Sequence, residues 1–179
     1  MTLEDFLALP EEKPALEFED GVVSQKVSPM GKHSRLQFNF ADRVNREAEP
    51  SKLAMAFPEL RASHGGNSYV PDVSVYRWDR IPIDDTGEIA NRFLLAPDVA
   101  VEIVSPGQSV TALVRRCLRH VENGAGIALL IDPADESVLS FRPGQMPAVL
   151  REDDTIDLGD VLPDFNLTVQ DLFDSLRIS

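Results

Sequence analysis

The sequence has very little cysteine: Cys117 is the only one in 179 residues. A single thiol excludes an internal disulfide and any zinc site built from several cysteines. No apolar run reaches the roughly 18 residues that a membrane-spanning helix needs, so none is predicted. The first residues, MTLEDFLALPEEK, are acidic and lack the basic start of a signal peptide. We therefore expect a cytoplasmic protein without a membrane partner.

Basic residues are also scarce, with 17 Lys and Arg against 30 Asp and Glu and a net charge of −13. Such a chain repels a polyanion at long range. A protein of this charge that acts on nucleic acid needs a local basic groove or a partner. Two short cationic groups are present, and we expect solvated helix and loop surfaces for both, with a basic groove as the alternative. They are Lys26, Lys32, His33 and Arg35, and then Arg115, Arg116, Arg119 and His120.

The length predicts a single domain over residues 1–179 with one sizeable core. An Asp20-Gly21 turn predicts a β-hairpin over residues 16–23. Amphipathic helices are predicted at about residues 32–49 and 110–122, the second N-capped by Ser109. Helices and strands alternate irregularly along the chain, which favours an α/β (α+β) fold with a mixed sheet.

A central strand is predicted in residues 96–106, APDVAVEIVSP. Two carboxylates, Asp98 and Glu102, interrupt this apolar run. Because side chains alternate along a strand, both lie on one face, together with Val104. A carboxylate inside a sheet is costly unless it is paired or holds a metal ion. This strand is therefore the first place to look for chemistry.

A similar phrase, PDVSVY, occurs at residues 71–76, within a single strand predicted over residues 69–76. Its Asp72 and the later Glu102 would share a hard divalent ion if the two strands were neighbours. Such an ion polarises a phosphoryl oxygen and lowers the pKa of a bound water. Spacing alone favours a purely structural role: Asp72 and Asp98 cap turns after proline, and Glu102 pairs with an arginine.

The phrase APDVAVEIVSP, followed by a helix and then NGAGIALLIDP, resembles the Uma-type restriction endonuclease-like family of the PD-(D/E)XK nuclease superfamily. The likeness extends over most of the chain in the same order. It includes the hairpin at residues 16–23, Ser28-Pro29 with His33, the strand at 71–74, and closing segments at 141–145 and 159–165.

This resemblance implies a restriction-endonuclease-like mixed β-sheet flanked by helices. It also implies a metal-dependent endonuclease that hydrolyses phosphodiester bonds in nucleic acid, with DNA the expected substrate. Asp72 and Glu102 would hold Mg²⁺ or Mn²⁺, and Glu17 would be an earlier acidic member of the site. The peptide carbonyl of Ile103 would complete the coordination.

The family's lysine is missing from its usual place, because Val104 stands at the second position after Glu102. In related sequences the lysine has often moved to the following helix, at a position that corresponds here to Arg116. An arginine can neutralise phosphate charge but cannot act as a general base. Arg116 is equally compatible with a solvated or Glu-paired side chain.

Other polar residues of the helices have weaker signals. His33 and His120 are expected on helix surfaces, whereas Gln37 would reach the site if its helix packs beside the sheet. Two functions remain open. One is a homodimeric nuclease, in which dimerisation brings more basic edges to one duplex. The other is a catalytically inactive nuclease-like fold that binds nucleic acid or a protein.

Overall fold

The computed structural model describes all residues, 1–179. Its helices are Leu3–Leu7 (α1), Gly31–Ala48 (α2), Val110–Glu122 (α3) and Val169–Asp174 (α4). The first five strands are Leu16–Glu19 (β1), Val22–Gln25 (β2), Ala54–Pro58 (β3), Ala62–His64 (β4) and Asn67–Tyr69 (β5). The others are Val73–Arg77 (β6), Val99–Ile103 (β7), Ile127–Asp132 (β8), Ser137–Phe141 (β9) and Ala148–Arg151 (β10).

The strands form two sheets. The small sheet has the order β2-β1-β5-β4, and the large sheet has the order β10-β9-β8-β7-β6-β3. Strands β7 and β8 are parallel, while all other pairs of the large sheet are antiparallel. The predicted α/β (α+β) fold with a mixed sheet flanked by helices is confirmed, although the second sheet was not predicted.

The two long helices cover opposite faces of the large sheet. On one face, α2 buries Leu36, Phe40 and Val44 in the main core, against residues such as Val101 of β7. On the other face, α3 packs Leu113 and Cys117 against β8 in a smaller apolar cluster. Since parallel strands need a crossover, α3 connects β7 to β8 and lies directly over their pairing.

The prediction of a single strand over residues 69–76 is wrong, because this segment belongs to two strands in different sheets. Tyr69 ends β5 of the small sheet, and Val73 begins β6 of the large sheet. Pro71 lies between them and has no N–H to donate to a strand partner. The crossing from one sheet to the other therefore occurs next to Asp72.

None of the helices has both the length and the apolar character that crossing a bilayer requires.

Candidate functional site

Asp72 and Glu102 come together on paired strands. Strands β6 and β7 are antiparallel, with Val73 opposite Val101. One further step along this register sets Asp72 opposite Glu102, and directly opposed residues point to the same face. Both side chains are buried, and the backbone N–H of Ile103 donates to Asp72 Oδ2 at 2.7 Å. The two carboxylates thus face one space rather than opposite sides of the sheet.

That space is a cavity of about 100 Å³, here called the acid cavity. Three carboxylates line it, and Glu17 from β1 joins the pair described above. Two permanent cations, Lys26 and Arg116, line it as well. The predicted set of Asp72, Glu102, Glu17, Ile103 and Arg116 is therefore brought to one place; the other lining residues are Ser24, Gln25, Val27, His33, Gln108 and Leu113.

Arg116 connects two of the acids. Its guanidinium is hydrogen-bonded to Glu17, and its Nε lies 3.7 Å from Glu102 Oε1. Burial raises the pKa of Glu17, and the neighbouring Arg116 opposes that effect only in part. For Arg116, burial lowers the pKa, but the charges of Glu102 and Glu17 outweigh it and raise the pKa above its usual value. Arg116 is therefore a fixed positive charge between two carboxylates.

Lys26 holds the third acid. Its Nζ donates to Asp72 Oδ1 at 2.7 Å and to the carbonyl oxygen of Val70 at 2.6 Å, and it lies 3.5 Å from Glu59 Oε1. Burial lowers the pKa of Lys26, but the charges of Asp72, Glu102 and Glu59 raise it above its usual value. The expectation of a solvated Lys26 is wrong, because the hairpin carries this residue over the end of the acid cavity.

The charge of Asp72 is stabilised by its partners. Burial raises the pKa of its carboxyl group, but the interactions with His33 and Lys26 outweigh that effect and hold the pKa below its usual value. Gln37 donates from Nε2 to the backbone oxygen of Asp72 at 2.8 Å, so it does reach this segment from α2. Asp72 is therefore an ionised carboxylate that its hydrogen bonds hold in place.

The expectation that His33 and His120 lie on helix surfaces is wrong. His33 is 5% exposed and His120 only 1% exposed. His33 Nδ1 lies 2.8 Å from Ser105 Oγ, and its Nε2 lies 3.2 Å from Asp72 Oδ1. His120 Nε2 lies 2.8 Å from Glu102 Oε1. Each imidazole thus contacts one of the two opposed carboxylates.

A sequence signal for these contacts did exist. His33 and Gln37 are four residues apart on α2, and Arg116 and His120 are four residues apart on α3. Residues at this spacing share a helix face, beside the apolar stripe that packs on the sheet. Polar side chains at such a boundary reach the end of a strand when the helix covers it. Lys26 gave no comparable signal, since it follows a short hairpin strand.

Two residues of the central strand, Asp98 and Val104, do not line the acid cavity. Asp98 accepts a hydrogen bond from the backbone N–H of Arg77 at 2.8 Å and another from the Arg80 guanidinium at 2.5 Å. It therefore has the structural role that spacing left open. Val104, at the family's lysine position, packs in the apolar cluster under α3. No cationic side chain replaces it on that strand.

No three or more His, Cys, Asp or Glu side chains are arranged as a metal centre. The chemistry of the available donors nevertheless fits a hard divalent cation, which prefers oxygen ligands. Glu102 Oε2 accepts no hydrogen bond, since His120 and Arg116 both approach Oε1. Around Lys26, a carbonyl and two carboxylates already form an oxygen-rich cation environment.

The charge balance of the site also fits a cation. Glu17, Glu59, Asp72 and Glu102 are ion-paired with only two permanent cations, Lys26 and Arg116. The side chain of Glu59 is 43% exposed, whereas the other three acids are buried. With neutral imidazoles and ionised acids, the buried part of the cluster therefore carries an excess of one negative charge. A buried excess charge is costly unless a counter-charge compensates it. A bound cation supplies such a counter-charge.

Comparisons with solved structures include a close likeness. The chain superposes on the crystal structure of a putative nuclease belonging to DUF820 from Anabaena variabilis ATCC 29413 with a TM-score of 0.95. The two share 41% sequence identity over 99% of each chain. A second match, to a DrdV-DNA complex, has a TM-score of 0.39 and 12% identity over 63% of this chain and 10% of that chain. At that level no common fold is established.

No curated protein matches the chain significantly. A family model does match, over residues 3–170, and its description is Uma2, putative restriction endonuclease. This match confirms the resemblance seen in the sequence motifs. The chain belongs to the Uma2 family.

Proposed function

We propose that the protein is an endonuclease that depends on Mg²⁺ or Mn²⁺ and hydrolyses phosphodiester bonds in nucleic acid, with DNA as the expected substrate. The observation that carries the proposal is the pair of opposed carboxylates, Asp72 and Glu102, facing one cavity. These two side chains would hold the ion, together with the backbone carbonyl of Ile103. When bound, the ion supplies Lewis-acid polarisation of a phosphoryl oxygen and a bound water of lowered pKa.

Lys26 and Arg116 provide the fixed positive charge of the site. Both side chains stay protonated beside the carboxylates, as the raised pKa of each implies. They act as cations that stabilise the negative charge developing on the phosphoryl group in the transition state, and neither serves as a general base. Lys26 thereby takes the electrostatic part of the lysine that is absent at Val104.

Two other side chains position these groups. Glu17 fixes the Arg116 guanidinium, while its own second oxygen accepts the N–H of Val70 at 2.8 Å. His120 orients Glu102, with 2.8 Å between its Nε2 and Glu102 Oε1. We assign Glu17, which was expected in the catalytic set, a positioning role on this basis, since it lines the cavity and acts on the phosphate through Arg116.

The direct test is incubation of the purified full-length chain with single-stranded and double-stranded DNA and RNA in millimolar Mn²⁺. We expect cleavage that is lost in Asp72→Asn and in Glu102→Gln. Glu19→Gln is a matched control, because Glu19 lies on the same hairpin as Glu17 but at the surface beside Arg119. Cleavage that persists in Glu102→Gln would identify a contaminating nuclease.

A second candidate is a nuclease-like fold that binds nucleic acid or a partner protein without cutting. Val104 at the lysine position and the net charge of −13 favour it. Thermal melting separates the two candidates. For the nuclease, Mn²⁺ raises the melting temperature and Asp72→Asn removes the increase; an unchanged melting curve in millimolar Mn²⁺ favours the second candidate.

A further inference from the structure

A larger cavity opens beside the acid cavity, with a volume of about 540 Å³. We call it the side cavity. Residues 30–33 at the start of α2, residues 104–108 after β7 and residues 132–134 after β8 form its walls, with Val110 at the rim. Nothing in the proposed chemistry uses most of these residues.

The two cavities are adjacent. His33 and Gln108 line both of them. The unit next to a phosphodiester bond in the acid cavity would therefore lie close to the side cavity. The side cavity is thus a neighbour of the proposed site.

The lining of the side cavity is mainly apolar. Met30, Val104, Pro106 and Pro133 present carbon surface with few polar groups among them. Cavities of about 300–1,000 Å³ with such walls are typical of sites for small organic groups. Apolar walls do not stabilise a hydrated phosphate backbone, whereas they do stabilise the flat face of a base.

A few polar groups remain available for the edge of such a ligand. Gln108 accepts the N–H of Ser105 through Oε1, which leaves its amide N–H groups free to donate. Asp132 accepts the N–H of Ala134 through Oδ1, which leaves Oδ2 free to accept. A donor and an acceptor in an apolar cavity match the hydrogen-bonding edge of a nucleobase.

The start of α2 brings groups that can attract an anion to the side cavity. Lys32 lies in the first turn of α2, and Met30, the N-cap residue, offers no side-chain oxygen to the first N–H groups of this long helix. Free N–H groups and a lysine attract a phosphate. The cavity therefore joins an apolar interior to an anion-attracting rim, as a nucleotide requires.

We propose that the side cavity binds one unstacked nucleobase of the substrate strand, with the phosphate of that nucleotide towards Lys32. This assignment rests on the proposed function for the identity of the polymer. Since a paired base cannot enter the cavity, the protein acts on single-stranded or locally opened nucleic acid. Intact duplex is the poorer substrate.

The test is a titration of the isotope-labelled full-length chain with each of the four deoxynucleoside 5′-monophosphates, without divalent metal. We expect amide shifts at Gly31, Gly107 and Ala134. Ala134→Trp, which fills the cavity from its exposed rim, should weaken binding at least tenfold. Thr111→Trp, on the exposed side of α3, is the matched control and should bind as the parent does. Val110→Trp is a second filling variant if Ala134→Trp does not fold.

Three outcomes would overturn the assignment. They are no amide shifts around the side cavity, a nucleotide affinity equal to the parent's in both filling variants, or identical shifts from inorganic phosphate alone. Its failure is distinguishable from failure of the nuclease proposal. If the filled variants cut single-stranded DNA as well as the parent does, the base site is wrong and the nuclease stands. If Glu102→Gln still binds nucleotides but the parent cuts nothing, the base site stands alone.

Discussion

At the scale of single residues, the acid cavity is a balance of buried charges. Each carboxylate has an internal cation or imidazole as its neighbour, and each neighbour lies in a different part of the chain from the carboxylate that it contacts. Buried ion pairs contribute little net stability, but removing one partner leaves an uncompensated charge. Substitutions here therefore report on both folding and cation binding.

Lys26→Met tests whether a divalent ion can replace the ammonium as the counter-charge of Asp72. Asp72 then loses its permanent counter-charge, and we expect a loss of about 3 kcal/mol in the free energy of unfolding in EDTA. Mn²⁺ should raise the melting temperature more in Lys26→Met than in the parent, because the ion restores the missing charge. Lys13→Met, at an exposed position, is the control. An equal or smaller Mn²⁺ effect in Lys26→Met would contradict the idea.

Arg116→Met tests the link between the two acids that it connects. Glu17 and Glu102 are left without their common cation, so we expect a loss of about 3–5 kcal/mol by urea unfolding at neutral pH. Because burial raises the pKa of Glu17, its carboxyl is more readily protonated when folded. The loss should therefore shrink as the pH falls and Glu17 becomes neutral, and grow as the pH rises.

The double variant Arg116→Met, Glu17→Gln completes this experiment. It removes one of the two unpaired charges, so we expect it to be more stable than the sum of the two single losses predicts, by about 1–3 kcal/mol. Arg115→Met, the exposed neighbour on α3, should have little effect. Strict additivity would show that the guanidinium does not couple these acids.

At the scale of elements, local signals in the sequence decided what could be predicted. The Asp20-Gly21 hairpin and the helix from Val110 to Glu122, with Ser109 as its N-cap, are confirmed. Each depends on residues that are close together in sequence. The division of residues 69–76 between two sheets depends on tertiary packing around Pro71, which no local pattern encodes.

The start of α3 offers a test of this local control. Ser109 accepts the N–H of Ala112 at 3.2 Å, so Ser109→Ala should lower the free energy of unfolding by about 1 kcal/mol. Thr111→Ala, exposed within the same first turn, should change it much less. Chemical denaturation measures both values. If the two variants lose equal stability, the hydroxyl of Ser109 is not the cap.

At the scale of the whole molecule, the net charge of −13 limits contact with nucleic acid. Proteins that neutralise 6–10 phosphates lose about 10³–10⁵ in affinity between about 50 and 200 mM salt. The positive rim around Lys32 is small, so we expect a loss below about tenfold for duplex DNA over that range. Fluorescence anisotropy at several salt concentrations measures this slope. A steep slope would require a basic surface elsewhere.

Homodimerisation stays a prediction at this scale. Sedimentation should give twice the chain mass of 19.8 kDa if two copies combine their basic edges on one substrate. The sequence predicted the opposed acids through its resemblance to the nuclease family, since spacing alone favoured a structural role for them. It could not predict their counter-charges, since Lys26 and the two imidazoles approach only once the helices and the hairpin have docked.

The chain passes from the small sheet to the large sheet at Pro71. Glu17 belongs to the small sheet and Glu102 to the large one, with Asp72 just past the point where the chain passes between them. Because these acids come from both sheets, separation of the two sheets would move them apart even while each sheet stays folded. We therefore expect cleavage activity at the acid cavity to depend on how firmly the two sheets pack together. This activity should be lost at temperatures where circular dichroism still shows native secondary structure.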